Sequence, residues 1–304
     1  MSSEYCFTNI IILNYNGKPD TMECLQSLAA DKSLANIKVI LINNSSDEQF
    51  SKQELTSFPF PVRYMPLTEN KGFCRGNNLG IAKSLADPEC KFIMLLNNDT
   101  IVPSGTIQRL RAVCEQHPRW LLNPLIAFHY SGKVQCTGGK WNLLTGLSRN
   151  FNKGKLPEQI TEDITPYYLN GCCIYAHRSV FDDIGGFDRN FFTYCEDLDL
   201  SYRAKRRKYV LRVIHDAIVY HKHSKSSQPL LKHYYICRNT ALFVMKHFPL
   251  LSVLVLPIHY FFQLIAGIHV YKTLNPFKLF YVVTKGFSDG IDNTWSLERI
   301  RKLR

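Results

Sequence analysis

At 304 residues, 45% hydrophobic and 20% charged, the chain is long enough for one large domain or one domain with an appendage, and its composition excludes disordered and fibrous classes. The net charge of +12 is confined to the last third, where residues 201–304 carry 18 Lys and Arg against 4 Asp and Glu, and this asks for an anionic partner. The basic side chains alternate with Leu, Val and Phe rather than with a stacking surface, and no nucleic-acid motif accompanies them, so an anionic membrane surface is the expected partner and nucleic acid is not.

Strand and helix signals alternate through the first hundred residues. Phe7–Leu13 reads as a buried strand ended by Asn14-Tyr-Asn-Gly17. Pro19 opens a helix whose Met22, Leu25 and Leu28 recur at helical spacing. Ile37–Ile42 and Val62–Leu67 read as further strands, and Gly76–Leu85 as a helix. Phe92–Leu96 is a continuous apolar run that stops abruptly at Asn97-Asn-Asp-Thr100, as a strand buried on both faces does. This order predicts an α/β fold with a mostly parallel sheet flanked by helices. Ser131–Gly154, rich in Gly and polar residues, reads as hairpins or an active-site loop. Thr165–His177 reads as a strand, Arg178–Ile184 as a helix stopped by Gly185-Gly186, and Asp197–Arg207 as a basic helix. Tyr209–Ile214 and Ala217–Tyr220 read as short strands, and long helices follow Pro229.

Polar turns follow four of the expected strands, and a parallel sheet gathers such turns along one edge, over one cleft. The third turn, Glu69–Asn78, has glycines and leads into a helix N-terminus; with Lys71 and Arg75 it suits a phosphate. Asp99, at the end of an apolar strand, suits a hard divalent cation, although Asn-Asn-Asp also serves as a plain turn and helix cap. Glu196, Asp197 and Asp199 open a helix beside Phe191, Phe192 and Tyr194, a setting that raises a carboxylate pKa toward that of a general base. His221, with His223, Lys222 and Lys225 nearby, is open to a structural, phosphate or metal role. The chain begins Met1-Ser-Ser-Glu-Tyr, without a signal-like segment, and its ten cysteines show no metal-ligand spacing, so a reduced cytosolic setting is expected.

Taken together, Ile12–Gly17, Asn43–Asp47, Asn70–Asn78, Leu95–Thr100, Gly185–Asp188, Glu196–Leu200, Tyr220-His221 and Arg238-Asn239 resemble the family 2 inverting glycosyltransferases, in the branch that contains rhamnosyltransferases. The resemblance runs from about Thr8 to Pro249 and implies a GT-A catalytic domain, set here at residues 1–227, with residues 228–304 as a helical, basic extension. It implies donor contacts from Asn14, Asn16, Asn43, Asn44, Asp47, Lys71, Gly72, Arg75, Asn78, Asn97 and Asn98. Asp99 and His221 would hold Mg²⁺ or Mn²⁺. Asp197 would be the catalytic base, and Glu196, Asp199 and Trp141 would support the acceptor site. The family's acid before the Asn-x-Ser segment is Ile42 here, which shifts base recognition to Asn43, Asn44 or the backbone. The implied activity is transfer from dTDP-rhamnose or a UDP-hexose to a saccharide, lipid-linked, in bacterial cell-surface polysaccharide synthesis at the cytoplasmic face of the membrane. A sugar nucleotidyltransferase and a catalytically impaired assembly partner are the alternatives.

Leu250–Tyr271 approaches the ~20 apolar residues that span a bilayer but is interrupted by Pro257, His259, Gln263 and His269. A helix in the membrane surface, a core helix and a true span are the three placements, the first of them favoured; the flanking Lys and Arg suit anionic lipid.

Overall fold

The computed structural model describes residues 7–44, 47–222, 229–270 and 276–294. In chain order the first half holds β1 (Phe7–Asn14), α1 (Lys18–Ala30), β2 (Ile37–Asn43), α2 (Lys52–Thr56), β3 (Val62–Pro66), α3 (Gly72–Leu85), β4 (Cys90–Asn97), β5 (Thr100–Ile101), α4 (Thr106–Gln116) and β6 (Trp120–Phe128). The second half holds β7 (Val134–Cys136), β8 (Gly139–Trp141), β9 (Ser148–Asn150), β10 (Cys173–His177), α5 (Arg178–Ile184), α6 (Glu196–Arg206), β11 (Val210–His221), α7 (Pro229–His247), α8 (Ser252–Val270) and α9 (Pro276–Ile291). The central sheet runs β3-β2-β1-β4-β10-β6-β11-β5, with β7 on the side of β6 and β8–β9 as a separate hairpin. β1 to β4 are parallel, and β10 is inserted antiparallel between β4 and β6. The four strands therefore release their polar turns on one edge, as their order predicts.

Successive strand residues point to opposite faces. In β2, Val39 and Leu41 enter the core under α1 and α4, while Ile40 and Ile42 enter the core under α3, α5 and α6. That second core does not stop at the sheet domain. Cys237, Ala241 and Phe243 of α7, Val255 and Leu256 of α8, and Leu279, Val283 and Phe287 of α9 are buried in it. Gly286 and Gly290 let α9 lie directly on α7: a Cβ at Gly290 would come 2.1 Å from the Arg238 carbonyl oxygen. The expected domain boundary at 227/228, like His223 and Lys225, lies outside the described residues.

Some elements differ from expectation. The segment before Cys173 is not strand, because its backbone is bonded by side chains: Asn123 accepts from Asn170 N at 2.7 Å, and Asp197 accepts from Gly171 N at 3.0 Å. The two short strands at 209–220 are one strand, β11, with a register shift between Ile214 and Ile218. The partner residue there is Pro124, which has no N–H for the ladder. That proline also hides β6 from a periodicity reading, whereas Ile107, Leu110 and Val113 of α4 recur at helical spacing in the sequence. In α8, Ser252, His259 and Gln263 are buried while Val253, Leu254, Ile258, Phe261, Ile265 and Ile268 face outward.

Candidate active site

β5 pairs antiparallel with the end of β11, matching His221 to Thr100 and Tyr220 to Ile101. The Lys222 N–H donates to the Asp99 carbonyl at 2.9 Å. This pairing brings His221 Nε2 to 3.1 Å from Asp99 Oδ1, both side chains largely enclosed. His221 Nδ1 lies 2.9 Å from Gln135 Oε1, an arrangement that suits the tautomer with its hydrogen on Nδ1. In the neutral imidazole the Nε2 lone pair then faces a carboxylate oxygen. A hydrogen carried by either group, or a divalent cation held by the pair, would occupy the place where these two atoms face each other. A histidine whose other nitrogen is held by a hydrogen-bond partner is the usual state of a metal ligand. The residues present therefore fit Mg²⁺ or Mn²⁺ with its remaining positions left to water and phosphate.

The second acidic group forms at the start of α6. Tyr194 and Cys195 both adopt positive φ, 67° and 64°, and turn the chain so that Glu196 and Asp197 lead the helix. Asp197 accepts from Gly171 N at 3.0 Å and from Leu198 N at 2.8 Å. Burial raises the pKa of Asp197, and those two N–H groups only partly oppose it. Burial raises that of Glu196 as well, reinforced by the charge of Asp197. Glu196 Oε2 is buried without a hydrogen-bond partner among the described residues. The next residue along, Cys172, accepts from Asn97 N at 2.8 Å. Adjacent residues 171 and 172 are thus fastened to Asp197 and to the Asn97–Asp99 turn, two groups a hundred residues apart in sequence.

The expected donor contacts divide into two sets. Asn14, Asn43, Asn44 and Asn98 form a bonded network that holds the turns to one another. Asn14 donates to Asn43 Oδ1 at 2.9 Å and to Glu48 Oε2 at 3.1 Å, and accepts from Thr21 Oγ1 at 3.0 Å. Asn98 donates to Thr21 Oγ1 at 3.0 Å. Asn44 donates to Asn70 Oδ1 and accepts from Lys71 N, both at 2.8 Å. Asn78 is bonded through both amide atoms to the Phe187 backbone. Asn16, Asp47 and Arg75, by contrast, are exposed, and Asn97 and Lys71 partly so, Lys71 in an ion pair with Glu69. Ser45 and Ser46 lie outside the described residues. Ile42 is fully buried, so hydrocarbon fills the place of the missing acid.

At the N-terminus of α3, where an anion cradle is expected, backbone donors are taken up by the fold itself. The Phe73 N–H donates at 2.9 Å to the Phe192 carbonyl, which Cys74 N also approaches. Gly72 has φ +80°, and a Cβ there would lie 2.5 Å from the Phe192 ring, so its glycine serves close packing. Two of the residues expected to support the acceptor site, Asp199 and Trp141, are engaged by their neighbours in the fold. Asp199 is 0% exposed and bound by Arg203 at 2.7 Å, Lys246 at 2.6 Å and His247 at 2.8 Å. Burial alone would raise its pKa, but the His247 bond and the charges of Arg203 and Lys246 hold it well below the usual carboxylate range. Trp141 is buried edge-on against Phe243 and His259. A further group that could ligate a cation, Asp163, His215 and Asp216, sits at the β11 register shift, where Arg109 Nε already lies 2.9 Å from both Asp216 oxygens.

Comparison with known proteins follows this geometry. The family model "Glycosyl transferase family 2" matches residues 9–185. The chain is 26% identical over 244 residues to an N-acetylglucosaminyl-diphospho-decaprenol L-rhamnosyltransferase of Mycobacterium tuberculosis, across 72% of this chain and 78% of that protein. It is 24% identical over 204 residues to the low-salt glycan biosynthesis hexosyltransferase Agl10 of Haloferax volcanii, across 65% of this chain and 61% of that protein. A crystal structure of GalNAc-T7 with UDP, GalNAc and Mn²⁺ superposes with a TM-score of 0.64 at 15% identity, over 92% of this chain and 55% of that one. The likeness to GalNAc-T7 shows a shared GT-A fold.

Proposed function

Because the chain belongs to glycosyl transferase family 2, we propose that it transfers a sugar from a nucleoside-diphosphate sugar to a saccharide hydroxyl in a single displacement with inversion. The observation that carries the reading is the fastening of Asp197 and of the Asn97–Asp99 turn to neighbouring residues Gly171 and Cys172. In this reading Asp197 takes the proton of the acceptor hydroxyl as the oxygen attacks the anomeric carbon and the nucleoside diphosphate leaves. Its raised pKa makes it a better base than an exposed aspartate. Asp99 and His221 would hold Mg²⁺ or Mn²⁺, which when bound screens the charge developing on the departing diphosphate. Of the expected donor-site residues, Asn16, Asp47 and Arg75 are exposed and Lys71, Asn97 and Asn98 partly so.

The names of the relatives support a rhamnosyl or hexosyl group as the one transferred and a lipid-linked saccharide as acceptor, and the donor we propose is dTDP-rhamnose or a UDP-hexose. The outward apolar face of α8 supports a peripheral position on a membrane, and the basic last third suits the anionic cytoplasmic leaflet. Such a place fits cell-surface polysaccharide synthesis.

A panel of nucleotide sugars, assayed with Mn²⁺ for release of the free nucleotide, tests the proposal. Release of a nucleoside diphosphate is expected; no such release, but conversion of the nucleotide sugar and added inorganic diphosphate to a nucleoside triphosphate and a sugar 1-phosphate, would instead identify a nucleotidyltransferase. Asp197→Asn should lose ~10²–10⁴-fold in turnover while still binding donor. Asp99→Ala should lose the metal dependence of donor binding. Normal turnover in the first variant, or unchanged metal titration in the second, excludes the corresponding role.

A further inference from the structure

The turn that aims Asp197 is built from residues poorly suited to it. Tyr194 and Cys195 are consecutive and both left-handed, at φ 67° and 64°, a conformation unfavourable for residues with a Cβ. Such a turn persists only where its surroundings over-determine it. The surroundings here come from α7. Asn239 Nδ2 donates to the carbonyls of Thr193 and Tyr194, both at 2.7 Å. Its Oδ1 accepts from Arg238 Nη1 at 2.6 Å, and the same nitrogen donates to the Asn190 carbonyl at 2.8 Å. Arginine only donates, so it fixes which end of the Asn239 amide faces the turn. Both residues are 0% exposed. An amide that is enclosed, oriented and bonded to two successive carbonyls just ahead of Asp197 has more geometric definition than core packing requires.

We propose that Asn239 is a positioning residue for the reaction: with its amide oriented by Arg238, it holds the Tyr194–Cys195 turn left-handed and so sets the direction in which the Asp197 carboxylate enters the cleft. This rests on the reading of Asp197 as the base. Misplacing a reacting group by about 1 Å can cost ~10²-fold in rate. Loss of the Asn239 bonds should therefore appear in kcat and leave donor KM nearly unchanged.

The experiment measures kcat and KM for hydrolysis of dTDP-rhamnose and of UDP-glucose with Mn²⁺ in the full chain, alongside thermal unfolding. Asn239→Ala should lower kcat about tenfold or more, with KM within about twofold. Adding Cys195→Gly should restore much of that loss, because glycine takes φ > 0 without help. A purely structural asparagine would show no such rescue. Should Asn239→Ala not fold, Asn239→Asp keeps the shape and the Arg238 contact but sets an acceptor against two carbonyls; the same kcat loss is expected. Normal kcat in a folded Asn239 variant, or a loss that Cys195→Gly leaves untouched, overturns the proposal. Asp197→Asn run in parallel separates the two ideas. If it is inactive while the Asn239 variants are normal, the base stands and the positioning role falls; if it is active, both fall.

Discussion

Glu196 and Asp199, three positions apart on the first turn of α6, show how little a residue's type says about its state. Asp199 is ionised among three basic side chains, whereas Glu196 has a buried oxygen without a partner and a charged neighbour. A carboxyl raised in the fold keeps its proton where the unfolded chain has released it. Stability therefore falls as pH rises from the ordinary glutamate value, ~4.3, toward the raised one. Glu196→Gln should remove that penalty. Thermal unfolding at pH 8 should show the variant more stable than the parent, each tenfold difference in proton affinity being worth ~1.4 kcal/mol. At pH 4 the two should coincide. An equal Tm difference at both pH values would mean that the glutamate is not raised.

Helix α8 is turned inside out relative to a core helix. Its polar His259 and Gln263 face inward, where His259 Nε2 meets the Leu143 carbonyl at 2.6 Å and Gln263 Nε2 the Gly146 carbonyl at 3.4 Å, tying the β8–β9 loop to the helix. Of the four residues that interrupt the apolar run in sequence, His259 and Gln263 thus face away from the outward side, whereas Pro257 and His269 are exposed alongside Leu254, Phe261 and Ile265. Pro249–Val270 is long and apolar enough to cross a membrane by length and composition, but its inward face is bonded to the rest of the chain. A helix held along one side and apolar along the other suits the membrane surface. Phe261→Glu with Ile265→Glu should weaken cosedimentation with phosphatidylglycerol-containing vesicles several-fold and leave Tm nearly unchanged, since both sites are exposed. Undiminished cosedimentation would remove α8 from the membrane contact.

At the scale of the molecule, the sheet and the C-terminal helices share one core. Removing everything after Pro249 would uncover Trp141, which packs edge-on against His259, and take away the α9 surface against which α7 is fitted. Each large apolar side chain left bare forfeits ~1.5–3 kcal/mol of burial. Such a truncated chain should unfold well below the Tm of the full chain or aggregate, whatever its effect on membrane binding. A Tm matching that of the full chain would show that the helices are an independent appendage.

The sequence by itself determined the βα alternation, the edge at which the polar turns gather, and the acidic residues at the ends of β4 and the start of α6. These follow from local periodicity and from the rule that parallel strands release their loops on one side. Only the tertiary structure decided which side chains at that edge remain accessible. Asn14 and Asn43 are bonded to each other and Asn44 to Asn70, and the start of α3 is capped by the Phe192 carbonyl. It also decided that His221 reaches Asp99 and that Asn239 reaches the turn before Asp197. Hydrogen bonds between residues far apart along the chain leave no periodic trace in it, because they depend on how the finished elements lie against one another.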